Sequence, residues 1–260
     1  MHGLGNDFVI INHNDLPEKY DLQQLAIIIS NRYTAIGCDQ FIFYRQKDNY
    51  YEMVIYNHDG SSAKLCGNAS RCLAKLMYLN SGQTNITIKV DDRELFCVIK
   101  GKNEISVDTG VVSFNKPWMP QPEKIWPLIQ RYMIDMKEAI CVDIGNPHLV
   151  IFSNLSYLDQ DIVGEKLQDK ELFVDGVNVN FATIKDDKIY LSVWERGTGL
   201  TLACGSGACA SFAAAEKLGF VTSPCLVTFK LGSLNMSKVN ENIIMTGPAT
   251  LVATGEFYYD

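Results

Sequence analysis

The chain of 260 residues lacks several features that define specialised classes of protein. It has no uninterrupted apolar run approaching 18 residues, so no membrane-spanning helix is predicted. Its first ten residues, MHGLGNDFVI, contain no basic segment followed by an apolar one, so no secretory signal is predicted. Its 23 basic residues are outnumbered by 30 acidic ones and are scattered, so we expect no nucleic-acid partner. These absences predict a cytoplasmic globular protein.

Cysteine is also too sparse for a disulfide scaffold, with eight residues in the whole chain. No pair has CxxC spacing, so neither a zinc site nor a thioredoxin-type dithiol is predicted, and we expect no bound metal. Free thiols in a reducing compartment are the default. Most of these cysteines we interpret as small buried hydrophobic residues. They are Cys38, Cys72, Cys97, Cys141, Cys209 and Cys225.

The other two cysteines belong to an internal repeat. Cys66-Gly67-Asn68 resembles Cys204-Gly205-Ser206, 138 residues later, and Gly5–Phe8 resembles Gly145–His148, 140 residues later. Short pairs such as Gly-Asn recur by chance, but the matches follow one order, which favours two similar halves. Further matches pair Gln40-Phe41 with Asn180-Phe181, Asn57 with Glu195, and Ile105–Gly110 with Ile243–Gly247.

The predicted elements are many short strands and a few helices, an α+β pattern rather than a βαβ nucleotide-binding fold. Each half has a predicted helix directly after its Cys-Gly pair, Ala69–Leu79 and Ala208–Leu218. Further helices are predicted at Leu22–Arg32 and Val163–Leu172, and a last strand at Thr250–Tyr258. The other predicted strands are Phe8–Asn12, Phe41–Arg45, Tyr51–Tyr56, Ile86–Val90, Leu95–Ile99, Ile105–Val107, Leu149–Phe152, Val177–Ile184, Ile189–Trp194, Leu226–Phe229 and Ile243–Met245.

The two Cys-Gly turns are the candidate catalytic positions. Asn68 and Ser206 are good N-cap types, so each cysteine is expected next to the unpaired N–H groups of a helix start. The positive end of the helix dipole there favours a thiolate, and we expect the pKa of each thiol to be lowered. Two thiols on opposite sides of one carbon could remove a proton from one face and return one to the other. The turns therefore predict stereoinversion with Cys66 and Cys204 as acid and base.

The polar residues near the turns suit a small zwitterionic substrate. Amide side chains offer both donors and acceptors, and Glu195-Arg196 could hold an ammonium and a carboxylate. Taken singly, each amide is a common turn former, the charged pair is a common surface ion pair, and His148 is an ordinary loop histidine. The candidate amides are Asn6, Gln40, Asn57, Asn146 and Asn178.

At these residues the sequence resembles the diaminopimelate epimerase family, which interconverts LL- and meso-diaminopimelate without pyridoxal. The resemblance extends over nearly the whole chain in the family's order. The matching motifs are Met1–Phe8, Cys66-Gly67-Asn68, Gly145–His148, Asn178–Phe181, Glu195-Arg196-Gly197 and Ala203–Gly207.

The resemblance implies two pseudo-symmetric domains, each a curled β-sheet around a central helix, with the active site in the interdomain cleft. The halves would be 1–111 plus 249–260, carrying Cys66, and 112–248, carrying Cys204. It implies these cysteines as the two bases and His148 and Glu195 as residues that tune them. It further implies lysine and peptidoglycan-precursor synthesis, no cofactor, and a homodimer. The implied substrate contacts are Asn6, Gln40, Asn57, Gly67, Asn68, Asn146, Asn178, Glu195, Arg196, Gly205 and Ser206.

Four positions depart from the family pattern. The chain starts at the motif itself, so the family's first strand is clipped, and Ala69 replaces a turn glycine. Leu200 stands where an acidic residue is common, and Ala253 stands where a tyrosine linked to dimer contacts is expected. None is one of the two cysteines, but Ala253 bears on the homodimer.

Three alternatives stay open at this point. The same mechanism could act on proline or hydroxyproline, as in racemases of related fold. Cys66 and Cys204 could instead form a regulatory disulfide that controls a binding function. The chain could also be an inactive relative that binds ligand without turning it over.

Overall fold

A computed structural model describes residues 1–16, 19–63, 66–132, 135–154 and 156–258. The chain forms two compact units: unit 1 is Met1–Val107 with Gly247–Asp260, and unit 2 is Asp108–Thr246. The predicted halves, 1–111 plus 249–260 and 112–248, use nearby boundaries, and as functional domains they stay a prediction. No helix in the described part of the chain is long and apolar enough to cross a membrane.

Unit 1 is a mixed sheet whose strand order is β1-β2-β3-β4-β6-β7-β8, with β5 paired to β4. The pairs β2–β3 and β4–β6 are parallel. The pairs β1–β2, β3–β4, β4–β5, β6–β7 and β7–β8 are antiparallel. The strands are β1 (His2–Gly3), β2 (Asn6–Asn12), β3 (Gln40–Gln46), β4 (Tyr51–Asn57), β5 (Ser62–Ala63), β6 (Asn85–Val90), β7 (Arg93–Gly101) and β8 (Glu104–Val111), the last of which continues into unit 2 after Val107. The helices are a 3-10 turn at His13–Asp15, α1 (Leu22–Ser30) and α2 (Gly67–Ser81).

Helix α2 is the centre of the unit 1 core. Its residues Cys72, Leu73 and Met77 are nearly inaccessible to solvent and pack with Phe8 and Ile42 of the sheet. The helix ends at Gly82, whose φ of 74° is left-handed and whose N–H donates to the Tyr78 carbonyl. The apolar face of α2 therefore fixes the position of its first turn against the sheet.

Unit 2 has the strand order β9-β10-β11-β12-β14-β15-β16, with β13 paired to β12. Here β10–β11 and β12–β14 are the parallel pairs. The strands are β9 (Met136–Asp143), β10 (Pro147–Ser153), β11 (Asn178–Lys185), β12 (Lys188–Glu195), β13 (Gly199–Thr201), β14 (Cys225–Phe229), β15 (Gly232–Val239) and β16 (Asn242–Gly247). The helices are α3 (Pro122–Gln130), α4 (Tyr157–Lys166) and α5 (Gly205–Lys217).

The two units share one internal topology, so their strand registers identify equivalent residues. Phe8 lies opposite Gln40 in the parallel pair of unit 1, and His148 lies opposite Asn178 in that of unit 2. His148 is therefore equivalent to Phe8, and Asn178 to Gln40. The sequence match of Gln40 to Asn180 was wrong by two residues, because the repeat offset changes between these strands. Asn180 is equivalent instead to Ile42.

Some predicted elements differ from the structure. The predicted last strand, Thr250–Tyr258, is absent among the described residues: only Thr250 pairs, with His2, through N···O distances of 3.0 and 2.9 Å. Val252 beyond it is 69% exposed and has no partner strand along which to extend. The helix predicted at Val163–Leu172 occurs earlier, as α4, where Ser156 caps it. Strands β9 and β15 and helix α3 were not predicted.

Candidate active site

Cys66 is the N-cap residue of α2, with an extended backbone at φ −143° and ψ 103°. The prediction of Asn68 as the cap was wrong, because the helix begins at Gly67. The carbonyl of Cys66 accepts hydrogen bonds from the backbone N–H and the hydroxyl of Ser70, both at 3.0 Å. The thiol therefore lies at the start of the helix, and Gly67 and Asn68 occupy its first turn.

A directed chain of amides runs past the Cys66 thiol. Asn6 Oδ1 accepts from Cys66 Sγ at 3.8 Å and from Asn68 Nδ2 at 3.1 Å. Asn68 Oδ1 accepts from Arg71 Nη2 at 2.8 Å, and Asn6 Nδ2 donates to Asp39 Oδ2 at 3.0 Å. A guanidinium at one end and a carboxylate at the other orient both amides. Asn6 therefore presents an acceptor to the thiol.

The carboxylate end of this chain is anchored by an exposed arginine. Arg32 donates to both Asp7 oxygens, at 2.9 and 2.7 Å, and to Asp39 Oδ1 at 2.7 Å. Burial acts to raise the pKa of Asp7, but the hydrogen bonds from Arg32 and Asp39 outweigh it and the pKa is lowered. One guanidinium therefore bridges both carboxylates and favours the ionised form of Asp7.

The other end, Arg71, is fully buried. Its Nε donates to the Pro248 carbonyl at 3.2 Å, and a Cβ added at Gly3 would lie 3.1 Å from its Nη2. Glycine in the first motif therefore leaves room for the guanidinium beneath α2. Because a buried charge needs such partners, Arg71 ties the first turn of α2 to the segment after unit 2.

Two further candidates of unit 1 form a separate pair. Gln40 and Asn57 lie opposite each other in the β3–β4 register, and Gln40 Nε2 donates to Asn57 Oδ1 at 2.9 Å. Gln40 Oε1 is buried and has no partner among the described residues. An unpaired buried oxygen is costly, so this amide is suited to accept a hydrogen bond from a ligand.

Cys204 is the N-cap residue of α5, with φ −126° and ψ 114°. Here too the predicted cap, Ser206, was wrong, since the helix begins at Gly205. The N–H of Gly207 donates to Cys204 Sγ at 3.4 Å, and Ser206 Oγ lies 3.4 Å from the same sulfur. A helix N–H and a hydroxyl therefore surround this sulfur.

His148 connects to this sulfur through Ser206. Its Nε2 lies 3.1 Å from Ser206 Oγ and 3.1 Å from Asn146 Oδ1, and Asn146 Nδ2 donates to Ser206 Oγ at 3.3 Å. The ring is fully buried, and burial lowers its pKa to about 4. Near neutral pH it is therefore an uncharged hydrogen-bonding group on β10, not a cation.

The remaining candidates of unit 2 lie at the ends of β11 and β12. Asn178 Nδ2 donates to the Pro147 carbonyl at 3.0 Å, and its Oδ1 accepts from the Arg196 N–H at 3.0 Å. Arg196 Nη1 donates to the Asp175 carbonyl at 2.6 Å, and Glu195 Oε1 accepts from the Thr201 hydroxyl at 2.5 Å. Arg196 also lines a cavity of about 470 Å³ in unit 2.

The other six cysteines are buried free thiols, which confirms their interpretation as small core residues. Burial raises the pKa of Cys72, Cys97 and Cys141 to about 12. Such thiols carry almost no thiolate at neutral pH and are poor nucleophiles. Among the described residues there is no cluster of three or more His, Cys, Asp or Glu side chains placed to hold a metal.

The sequence did not predict several residues that build the site. Arg71, Asp39 and Arg32 gave no signal, since the sequence does not show that Pro248 comes near Arg71, or Asn6 and Asp7 near the other two. Asn180 belongs to a repeat match and to a family motif but was given no role, yet its amide contacts His148 Nδ1. The strand registers, which equate it with the apolar Ile42, are what single it out.

The chain matches known proteins over most of its length. The family model described as diaminopimelate epimerase matches residues 1–115 and 140–252. Proteins named diaminopimelate epimerase are similar to it: that of Rickettsia felis is 67% identical over 99% of this chain and 96% of the relative. The Rickettsia akari protein is 65% identical over 100% of this chain and 96% of the relative.

Solved structures share the fold at low identity. A Pseudomonas aeruginosa protein titled a predicted epimerase has a TM-score of 0.76 at 14% identity, over 98% of this chain and 94% of that one. A PhzF-family phenazine biosynthesis protein from Enterococcus faecalis has a TM-score of 0.70 at 15% identity, with the same coverage. These likenesses extend to the fold alone. The family match and the high identities to named relatives lead to one conclusion: this chain belongs to the diaminopimelate epimerase family.

Proposed function

We propose that the protein interconverts LL- and meso-diaminopimelate for lysine and peptidoglycan-precursor synthesis, by two-base catalysis with Cys66 and Cys204. The observation that carries the proposal is the pair of equivalent cysteines, each the N-cap of a helix in its own unit. Family membership gives the substrate, and the helix starts give the chemistry.

In this mechanism the thiolate of one cysteine removes the α-proton and the thiol of the other donates a proton to the opposite face. The electrons of the broken C–H bond remain on the α-carbon until the second proton arrives, and the configuration is inverted. The N–H groups at Gly67-Asn68 and Gly205-Ser206 are suited to hold the substrate carboxylate, because the positive helix ends stabilise the charge as it develops. The two thiols carry out both proton transfers, so this mechanism requires no cofactor.

The amides and charged residues supply substrate contacts in this proposal. Asn6 and Asn146 lie beside the two helix starts, through Asn68 and Ser206. The unpaired Gln40 Oε1 is suited to accept from an ammonium. Arg196 is suited to a carboxylate and Glu195 to an ammonium, and His148 and Glu195 are proposed to tune the thiols.

The experiment is hydrogen exchange at the α-carbon. Reduced protein is incubated with LL-diaminopimelate in D2O, and deuterium incorporation is followed together with formation of the meso form. We expect both, with proline as a substrate control that remains unlabelled. Exchange with proline but not with diaminopimelate would overturn the substrate assignment, and exchange with neither would overturn the activity.

We further propose a homodimer in the cytoplasm, where the precursors of lysine and peptidoglycan are made. Ala253, which replaces a family tyrosine, is exposed in the irregular segment after Thr250. Light scattering after size-exclusion chromatography tests the assembly: a mass near twice 29.1 kDa is expected, and a mass near 29.1 kDa would contradict it.

A further inference from the structure

Unit 2 carries a buried polar pair where unit 1 carries an apolar one. His148 and Asn180 are both fully buried, and their equivalents in unit 1 are Phe8 and Ile42, which are core residues. The shared topology therefore packs well without polar atoms at these two positions. Since burying an amide and an imidazole costs free energy unless they bond each other, the pair points to a role outside packing.

The amide of Asn180 has a fixed orientation. One N–H of Nδ2 is shared by the carbonyls of Leu149 at 3.2 Å and Asn178 at 3.3 Å, which leaves the other N–H for His148. Turning the amide over would place Oδ1 against two carbonyl oxygens. Asn180 also packs beneath the first turn of α5, because a Cβ added at Gly207 would lie 2.6 Å from Asn180 Oδ1. The amide is thus held between β11 and α5.

This orientation selects one tautomer of His148. Asn180 Nδ2 lies 3.0 Å from His148 Nδ1, closer than Oδ1 at 3.3 Å, so Nδ1 accepts and the proton of the neutral ring is on Nε2. That proton can be shared by Asn146 Oδ1 and Ser206 Oγ, both at 3.1 Å. In the Nε2–H form, the Nδ2···Nδ1 contact and both contacts of Nε2 have a donor and an acceptor, whereas Asn180 Oδ1 and His148 Nδ1 do not bond each other.

The consequence reaches the sulfur of Cys204. Ser206 Oγ accepts from His148 Nε2 and from Asn146 Nδ2, so its own hydrogen is directed to Cys204 Sγ, 3.4 Å away. With Gly207 N–H as the other donor, the sulfur faces two hydrogen bonds that favour its thiolate. In the opposite tautomer, Nε2 would take the Ser206 hydrogen and the sulfur would lose one donor.

We infer that Asn180 is a positioning residue that acts through His148 and Ser206 to keep a hydrogen-bond donor on Cys204. The inference deepens the proposed function, because it assigns one part of the proposed acid–base pair. It concerns an equilibrium property of the protein alone, so it can be tested without substrate. The charged groups that act on the His148 ring are Asp143, which favours its protonation, and Arg196, which disfavours it.

The first test is the protonation site of His148, measured by 15N NMR on protein labelled at histidine, near pH 7. We expect the proton on Nε2 in the native chain. Asn180→Asp offers only acceptors to Nδ1, so we expect the proton on Nδ1 in that variant, with little change in side-chain volume. A proton on Nδ1 of the native chain, or no change in Asn180→Asp, would overturn the inference.

The second test is the reactivity of Cys204 with methyl methanethiosulfonate, followed against pH by peptide mass spectrometry. Asn180→Ile places the unit 1 residue in unit 2, so the packing is preserved while the Nδ1 partner is lost. We expect the rate at Cys204 to fall about tenfold at neutral pH and its pH midpoint to rise by about one unit.

Two controls separate this role from a structural one. The rate at Cys66, in the other unit, is expected to remain within twofold in Asn180→Ile. Thr183→Val, on the same strand, removes a side-chain hydrogen bond to the Ser153 carbonyl and should leave Cys204 unchanged. An unchanged pH midpoint in Asn180→Ile, or equal slowing at both cysteines, would contradict the inference. If diaminopimelate were not epimerised, the NMR and labelling results would still stand by themselves.

Discussion

In unit 1 the Cys66 thiol lies beside an amide oxygen held by charged partners, and in unit 2 the Cys204 sulfur lies beside donors held by uncharged ones. Both cysteines cap their helices in the same extended conformation. The helix start alone therefore does not define the chemistry of its N-cap residue. Side chains from neighbouring strands decide whether a donor or an acceptor meets the sulfur.

The buried residues at equivalent positions of the two helices also differ in charge. Arg71 in α2 is equivalent to Cys209 in α5, since each is five residues after its N-cap cysteine. Unit 1 therefore uses a buried cation and the Asp39 carboxylate to orient its amides. Unit 2 uses a neutral histidine and the Asn180 amide.

The largest effect is expected from loss of either thiol. Cys66→Ser or Cys204→Ser should lower epimerisation by about a thousandfold or more, because a serine hydroxyl is a far weaker acid and base at neutral pH. Turnover of each diaminopimelate isomer is measured by chiral chromatography. Cys72→Ala and Cys209→Ala, one in each helix, serve as matched controls and should retain most of the activity. Normal turnover in either serine variant would contradict the two-base mechanism.

The next effect concerns the buried cation of unit 1. Arg71→Met should lower the free energy of unfolding by about 3 kcal/mol, because Asn68 Oδ1 and the Pro248 carbonyl lose a buried donor. Urea unfolding followed by circular dichroism measures it. Cys209→Ala at the equivalent position removes no charge and should cost about 1 kcal/mol. Equal losses of unfolding free energy in the two variants would show that the buried cation of unit 1 stabilises the fold no more than the thiol at the equivalent position of unit 2.

The neutral histidine of unit 2 makes stability depend on pH. The folded pKa of His148 is lowered to about 4 from 6.5, so between these values the unfolded chain binds the proton and the folded chain does not. This contribution is present above about pH 6.5 and is lost as the pH falls toward 4. From pH 7 to 5 we expect a loss of about 2 kcal/mol in urea unfolding.

The control for that measurement is the double variant His148→Phe with Asn180→Ile, which copies the apolar pair of unit 1. Its unfolding free energy should lack this part of the pH dependence, since no titrating ring remains in the core. The same drop between pH 7 and 5 in both proteins would assign the dependence to other groups.

The smallest effect is expected at Arg32, the exposed end of the hydrogen-bond chain in unit 1. The side chain of Arg32 is 53% exposed, so solvent screens its bonds to Asp7 and Asp39. Arg32→Gln should cost about 0.5 kcal/mol in urea unfolding at low salt. At high salt the difference from the native chain should disappear, because exposed charges are screened. A loss that persists in salt would mean that the ion pairs contribute as buried ones do.

The sequence predicted the parts of the fold that depend on local pattern. The helices after the two Cys-Gly pairs and most strands were found, because apolar periodicity and turn residues mark them. Strand β9 and helix α3 were missed, since the first mixes charged and apolar residues and the second contains Pro127 in its interior. The strand at Thr250–Tyr258 was predicted from composition, but among the described residues only Thr250 pairs, and a strand needs a neighbour along its length.

For the candidate site, the cysteines and most amides were predictable because the repeat and the family motifs mark them. The hydrogen-bond partners were not. Whether Asn6 presents oxygen or nitrogen to Cys66 depends on Asp39 and Arg71, which come from other elements. The role of Asn180 depends on a strand register that differs by two residues from the sequence match.

The pairing of His2 with Thr250 also affects when the contacts of unit 1 can form during translation. Unit 1 is made from both sides of unit 2 in the chain, so residues 248 and 250 leave the ribosome only after all of unit 2 has been translated. Until then Arg71 lacks the Pro248 carbonyl and β1 lacks its bridge. Unit 2 therefore has its whole sequence before unit 1 does, and unit 1 gains these last contacts only when translation is almost complete.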